Sequence, residues 1–191
     1  MIKEPNKLLQ MILPQLKSGS EFLDLGCGAG IDAIFMVENG FIVTAVDNSQ
    51  EKISMLKEAI NNKGDLKNNI RLFRQDINSF AIEKNKYQVI QAFNFLQFLD
   101  KKTGLKIIEN IRENLSANGF VIISCFTVND SLYQKPINKN RCFFMPQELK
   151  NLFSDSEIIF YEEKIINDQG HPGFEVPHQH SVARLVARKN I

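Results

Sequence analysis

The chain has 191 residues, 43% hydrophobic and 24% charged, with a net charge of +1. That length suffices for one domain with a substantial core. The balanced charge excludes the basic footprint that nucleic acid or an anionic membrane would select, and no apolar run is long enough to cross a bilayer.

The N-terminal stretch MIKEPNKLLQMILPQLKSGS has no small-residue cleavage site behind a long apolar run, so no export signal is expected and the location is expected to be cytoplasmic. Residues 6–13 fit a short amphipathic helix that Pro14 ends or kinks. A first strand is predicted at Phe22–Leu25. A helix follows over Gly30–Asn39 with Gly40 past its end. A second strand spans Phe41–Val46, and the next helix is capped by Asn48 or Ser49. Further strands are predicted at Ile70–Arg74, Tyr87–Phe93 and Phe120–Phe126, with an amphipathic helix over Thr103–Leu115. Residues 127–145 read as a long loop, and Pro146 opens a short helix through Phe153. Strands at Glu157–Ile166 and Gln179–Arg188 flank a Gly/Pro/His loop over 167–177.

Strands alternating with helices predict an α/β, Rossmann-like, doubly wound sheet of seven strands. Their apolar character indicates burial on both faces. The last two strands have no helix between them, so they form a hairpin and the last strand runs antiparallel in an otherwise parallel sheet. No repeat or linker divides the chain, and one domain over 1–191 is expected. Cys27, Cys125 and Cys142 are odd in number and widely spaced, which fits neither a disulfide framework nor a zinc pattern.

The chemistry concentrates at FLDLGCGAG, residues 22–30. An apolar run, a dense glycine loop and a second apolar run ending in Asp47 make the plan of a nucleoside-binding βαβ unit. A dinucleotide site would want glycines at 26, 28 and 31, but position 31 is Ile and the third glycine is Gly30. Asp24, just before the loop, would repel a pyrophosphate at the helix N-terminus. A phosphate-free nucleoside with a cationic end, such as S-adenosylmethionine, is favoured. Asp47 then suits the ribose hydroxyls.

These residues resemble the class I S-adenosylmethionine-dependent methyltransferases. LDLGCGAG (23–30) is similar to their hallmark loop and VTAVD (43–47) to their second motif. RQDI (74–77) resembles the third, YQVIQAFNFLQFL (87–99) the fourth, and LSANGFVIISCF (115–126) the turn and strand that follow. Within that class, PNK (5–7), PQELKNLF with a strand ending in YEE, and the tail GHPG…HQHSVARLVARK resemble the tellurite-resistance-type small-molecule methyltransferases. The resemblance implies that Asp76 bonds the adenine amino group and Ile77 packs on the ring. The expected cofactor-binding set is Asp24, Gly26, Cys27, Gly28, Gly30, Asp47, Asn48, Asp76, Ile77 and Ala92. The fourth motif departs from the class: Gln88 and Gln97 stand where relatives carry acids or histidine, and glutamine is no base.

All three histidines lie in the last 21 residues. Because ligands sit at the carboxyl ends of parallel strands, the start of an antiparallel last strand shares that edge. His171, His178 and His180 are therefore the candidate catalytic residues, with the 127–145 loop covering the same edge through Tyr133, Arg141 and Phe143. Substrate contact is the first reading of the histidines and a structural role the second. Metal binding by His-x-His ranks third and no metal site is expected, because the sequence identifies no further ligands. Arg184 is either a contact for an anionic substrate or half of a structural ion pair.

The function expected is methyl transfer from S-adenosylmethionine to a small-molecule acceptor: a thiol, selenite or tellurite-type nucleophile, and no nucleic acid or membrane. The alternatives are a non-catalytic S-adenosylmethionine-binding sensor or partner subunit and a nicotinamide-dependent reductase. Asp24 and Ile31 speak against the reductase.

Overall fold

The structure is a computed structural model that describes residues 4–170 and 175–190. Seven strands form one sheet: β1 Glu21–Leu25, β2 Ile42–Asp47, β3 Ile70–Arg74, β4 Tyr87–Phe93, β5 Phe120–Phe126, β6 Glu157–Asp168 and β7 His178–Arg188. Their order is β3-β2-β1-β4-β5-β7-β6, and only β7 runs antiparallel to its neighbours. Three predicted strands, β3, β4 and β5, have the expected bounds.

Five helices accompany the sheet: α1 Lys7–Ile12, α2 Ile31–Glu38, α3 Gln50–Asn61, α4 Lys101–Asn114 and α5 Glu148–Asn151. Strand side chains alternate between the two faces. On one face Phe22, Val43, Val89, Ile122 and Val186 pack with Leu9, Met36 and Leu56 from α1, α2 and α3. On the other, Leu23, Ile90, Val121, Ile123 and Leu185 pack with Ile108, Ile111 and Phe153.

Local chemistry sets the helix boundaries. Six residues are too few to hold a helix alone. α1 persists because Asn6 caps it by accepting from Leu9 N and because Leu8, Leu9 and Ile12 are buried, each such burial being worth about 1.5–3 kcal/mol. Beyond α1 the chain tightens into a 3-10 turn at Leu13–Gln15, with Pro14 inside it. α4 begins two residues before the expected start because Asp100 caps it, accepting from Thr103 N at 2.9 Å. The segment 127–145 contains two short 3-10 turns, Ser131–Gln134 and Pro136–Asn138. The loop expected over 167–177 starts two residues later, since β6 reaches Asp168, and β7 starts one residue early at His178. Among the described residues no helix is long and apolar enough to cross a membrane. Cys27, Cys125 and Cys142 are unbridged.

Candidate functional site: a glycine loop between two cavities

The loop after β1 is fastened to β2. Gly26 N and Cys27 N donate to Val46 O at 2.9 and 3.1 Å, and Gly30 N returns to Cys27 O at 2.9 Å. Asp47 ties the loop to the start of α3: its Oδ2 accepts from Gly28 N at 2.9 Å and its Oδ1 from Ser49 N at 2.8 Å. Each carboxylate oxygen has a second lone pair, so two acceptor positions remain for a ligand.

The three loop glycines do different work. A Cβ at Gly30 would lie 2.2 Å from Leu56 Cδ1, and one at Gly26 would lie 2.6 Å from Phe95. A Cβ at Gly28 would meet nothing within 4 Å, although its φ of +53° is left-handed. Gly28 faces open space where a ligand can approach the backbone.

Cavities flank this loop. One of about 340 Å³ takes Gly26, Gly28, Asp47, Asn48, Asp76 and Ile77, and is closed by Phe95, Phe98 and Leu99. The other, about 880 Å³, takes Cys27, Gly30, Asp32 and Ile31, with Asn6 and Met11 from the N-terminal segment and Phe160, Glu162, Lys164 and Arg184 from the hairpin. Asn94, held at φ +57° just past β4, lines both. Six of the ten expected cofactor residues line the smaller cavity, Gly26, Gly28, Asp47, Asn48, Asp76 and Ile77, and Gly30 lines the larger one. Cys27 also faces the larger cavity. Burial and the nearby Asp24 and Asp47 carboxylates push its thiol far up, which disfavours the thiolate.

Two expected residues are placed differently. Ala92 is fully buried in the core between Leu25 and Ile123 and lines neither cavity. Both faces of β4 are covered, so Ala92 is buried within the strand, and Asn94, beyond the strand end, lines the cavities instead. Asp24 also lines neither cavity and lies beneath the loop. Its Oδ1 accepts from Gln91 Nε2 at 3.1 Å. Burial, then the Asp32 charge, raises its pKa to about 8, against the lowering effect of the Gln91 bond.

Gln91 is a residue that the sequence reading missed. Its Nε2 also donates to Asp32 Oδ2 at 2.9 Å, and its Oε1 accepts from Asn6 Nδ2 at 2.7 Å. Asn6 donates to both Asp32 oxygens, through N at 2.8 Å and Nδ2 at 2.7 Å. This network joins the PNK segment, β1, α2 and β4 under the larger cavity. Gln88 sits at the other end of β4, accepting from Ser20 Oγ at 3.3 Å, and so has no part at this edge. Gln97 is buried, donating from Nε2 to Asn94 O at 2.8 Å.

His178 and His180 lie at the carboxyl edge as expected, but neither lines a described cavity. His171 lies outside the described residues. The ring of His180 stacks on Phe126, centroids 4.2 Å apart. Its Nδ1 meets Asp130 Oδ2 at 3.0 Å. Asp130, fully buried, also accepts from Leu132 N and Ser181 N, both at 2.8 Å. The 127–145 loop thus covers the edge, and its main contribution is Asp130. Phe143 packs on Phe126 and Tyr133 within that cover, while the backbone of Arg141 forms an isolated β-bridge with Asp100. Arg184 lines the larger cavity. Its Nη1 is 3.4 Å from Glu162 Oε1 and its guanidinium 5.9 Å from the Phe93 ring centre, while its Nε is buried without a partner.

A mostly parallel seven-stranded sheet with an antiparallel β7, a glycine loop after β1 and an acid closing β2 define the fold of the class I methyltransferases. A crystal structure of TehB from Haemophilus influenzae superposes with a TM-score of 0.80 at 24% identity, covering 97% of this chain and 62% of that one. A methyltransferase from Methanosarcina mazei, described as SAM-dependent, superposes at 0.76 with 17% identity, covering 99% of this chain and all of its own.

The sequence model of the family described as "Tellurite resistance protein TehB" matches residues 12–171, and the chain belongs to that family. The "Probable S-adenosyl-L-methionine-dependent methyltransferase TehB" of Haemophilus influenzae is 30% identical over 149 residues, which is 78% of this chain and 50% of that protein. A ubiquinone biosynthesis O-methyltransferase of Haemophilus ducreyi is 27% identical over 60% of this chain and 48% of its own. The chain spans about half the length of these relatives.

Proposed function

We propose that residues 1–191 act as one domain that binds S-adenosylmethionine and transfers its methyl group to a small-molecule acceptor. The observation that carries this reading is Asp47. Its carboxylate is oriented by two backbone N–H groups and keeps two acceptor positions at a cavity that also holds Asp76. Two acids against the single ammonium of Lys52 make poor company for a pyrophosphate and good company for a ribose diol and an adenine amino group. Family membership supports the same reading.

Bound across the loop, S-adenosylmethionine would supply an electrophilic methyl on a sulfonium. Transfer of that kind needs alignment and exclusion of water more than a dedicated acid or base. The protein's part is then positional. Asp47 and Asp76 fix the nucleoside, the Asn6–Asp32–Gln91 network holds the N-terminal segment over the larger cavity, and Arg184 faces an anionic acceptor there. A soft, ionised nucleophile such as a thiolate, selenite or tellurite species suits a cavity where Arg184 and Lys164 balance Glu162 and Asp32. The test is transfer of labelled methyl from S-adenosylmethionine to a panel of thiols, selenite and tellurite. Turnover on at least one supports the proposal.

The second reading is a cofactor-binding module without catalysis. Its support is the fourth motif, where Gln88 lies far from the edge and buried Gln97 offers no base. Tight cofactor binding with no turnover across the panel would favour it.

A further inference from the structure

A second constellation lies at the far end of the sheet edge, where β6 and β7 part. Asp168 pairs directly with His178 across the hairpin, and His180 is two residues further along β7. Alternation puts all three on one face. One ligand atom from each lies within 4.8 Å of the others.

The ring nitrogens decide what these groups can do. His178 Nδ1 is 2.8 Å from Val176 O, and a carbonyl can only accept, so this nitrogen carries a proton. His180 Nδ1 is 3.0 Å from Asp130 Oδ2, whose carboxylate already accepts from two backbone N–H groups, so it too carries a proton. In neutral rings both Nε2 atoms then hold lone pairs. Yet these two Nε2 atoms face each other at 2.9 Å, with ring planes at 88°. At that distance the two nitrogens suit a shared cation, either a proton on one ring or a metal ion bound by both.

We propose that Asp168, His178 and His180 bind a divalent transition-metal ion of the zinc class. Two imidazole nitrogens bound at about 2.1 Å in a tetrahedral site stand about 3.4 Å apart, so the 2.9 Å pair needs to open by only about half an ångström to take the ion. Imidazole with carboxylate is the donor set such ions prefer. The Nδ1–H groups of the two histidines go to a buried carboxylate and a backbone carbonyl, the outer partners that orient metal-bound histidines. Three protein ligands leave a position for water or for an exogenous oxygen donor. The ion would also tie the end of β6 to the start of β7, on the face that carries Arg184.

The test uses the full chain, stripped with a chelator and titrated with Co²⁺ and Zn²⁺ in the absence of any nucleoside, so its outcome is independent of methyl transfer. The expected result is one equivalent of Co²⁺ giving visible d–d bands, displaced by Zn²⁺. Asp168→Asn at the half-buried rim and His178→Ala should each weaken binding at least tenfold, with circular dichroism unchanged. Asp130→Asn should weaken it about 10–100-fold through His180. The proposal is overturned by absence of the bands at millimolar Co²⁺, by thiolate-to-cobalt charge-transfer bands that place the metal on cysteine, or by unchanged affinity in Asp168→Asn. It is equally overturned if the Nε2 nitrogen-15 shifts report a shared proton that Zn²⁺ does not displace.

Discussion

The two halves of the sheet edge are built differently. At the β1–β2 end, residues 24–30 and 47–48 sit on one loop and one strand tip, and backbone N–H groups aim their key carboxylate. At the β5–β7–β6 end, the groups come from far apart in sequence: Asp130 from a loop, Asp168 from the end of β6, and His178, His180 and Arg184 from β7. In the first half the loop is held by its own backbone hydrogen bonds. The second depends on side chains meeting across long separations, so it is free to vary in what it holds. The first half suits a fixed cofactor and the second a variable acceptor.

The largest expected effect breaks the first half. Asp47→Ala removes both backbone contacts and the proposed ribose acceptors, and should lower S-adenosylmethionine affinity by a hundredfold or more in calorimetric titration. On the other side, Arg184→Gln should leave cofactor affinity unchanged while raising the acceptor KM about tenfold, as expected on losing one charge-assisted contact. Equal losses in both would dissolve the division between the halves.

The glycines separate stability from binding. Gly30→Ala drives a methyl into Leu56 at a left-handed position and should cost roughly 2–4 kcal/mol in denaturant unfolding. Gly28→Ala meets no neighbour and should cost only the left-handed penalty, about 1–2 kcal/mol. Its cofactor affinity should nevertheless fall by more than that of Gly30→Ala, measured where both remain folded.

A separate effect is on pH dependence. Asp24 is raised to about 8 in the folded chain from an ordinary 3.8, so between those values the folded state binds more protons than the unfolded one. The stability held by the protonated carboxyl is present in full below 3.8 and is lost as pH rises to about 8. Asp24→Asn should flatten the fall in Tm between pH 5 and 8, read by thermal unfolding at a series of pH values.

Legibility in the sequence followed the same division. Buried parallel strands are continuous apolar runs, so β3, β4 and β5 were readable to the residue, and the glycine loop with Asp47 announced itself by spacing. Asp24 was readable as important, yet its role was not: nothing in one sequence shows that Gln91, 67 residues on, bonds it under the loop. Ala92 lies in the core because both faces of β4 are covered, a placement that one sequence does not show. At the other end the histidines were visible as a cluster. Asp130 and Asp168 were not, because only the hairpin register and the path of the 127–145 loop bring them to the imidazoles.

The most direct test of the central claim is calorimetric titration of the wild-type chain with S-adenosylhomocysteine and, separately, with NADH. One site with micromolar affinity for S-adenosylhomocysteine and none for NADH is expected. Preference for NADH, or no binding of S-adenosylhomocysteine, would contradict it.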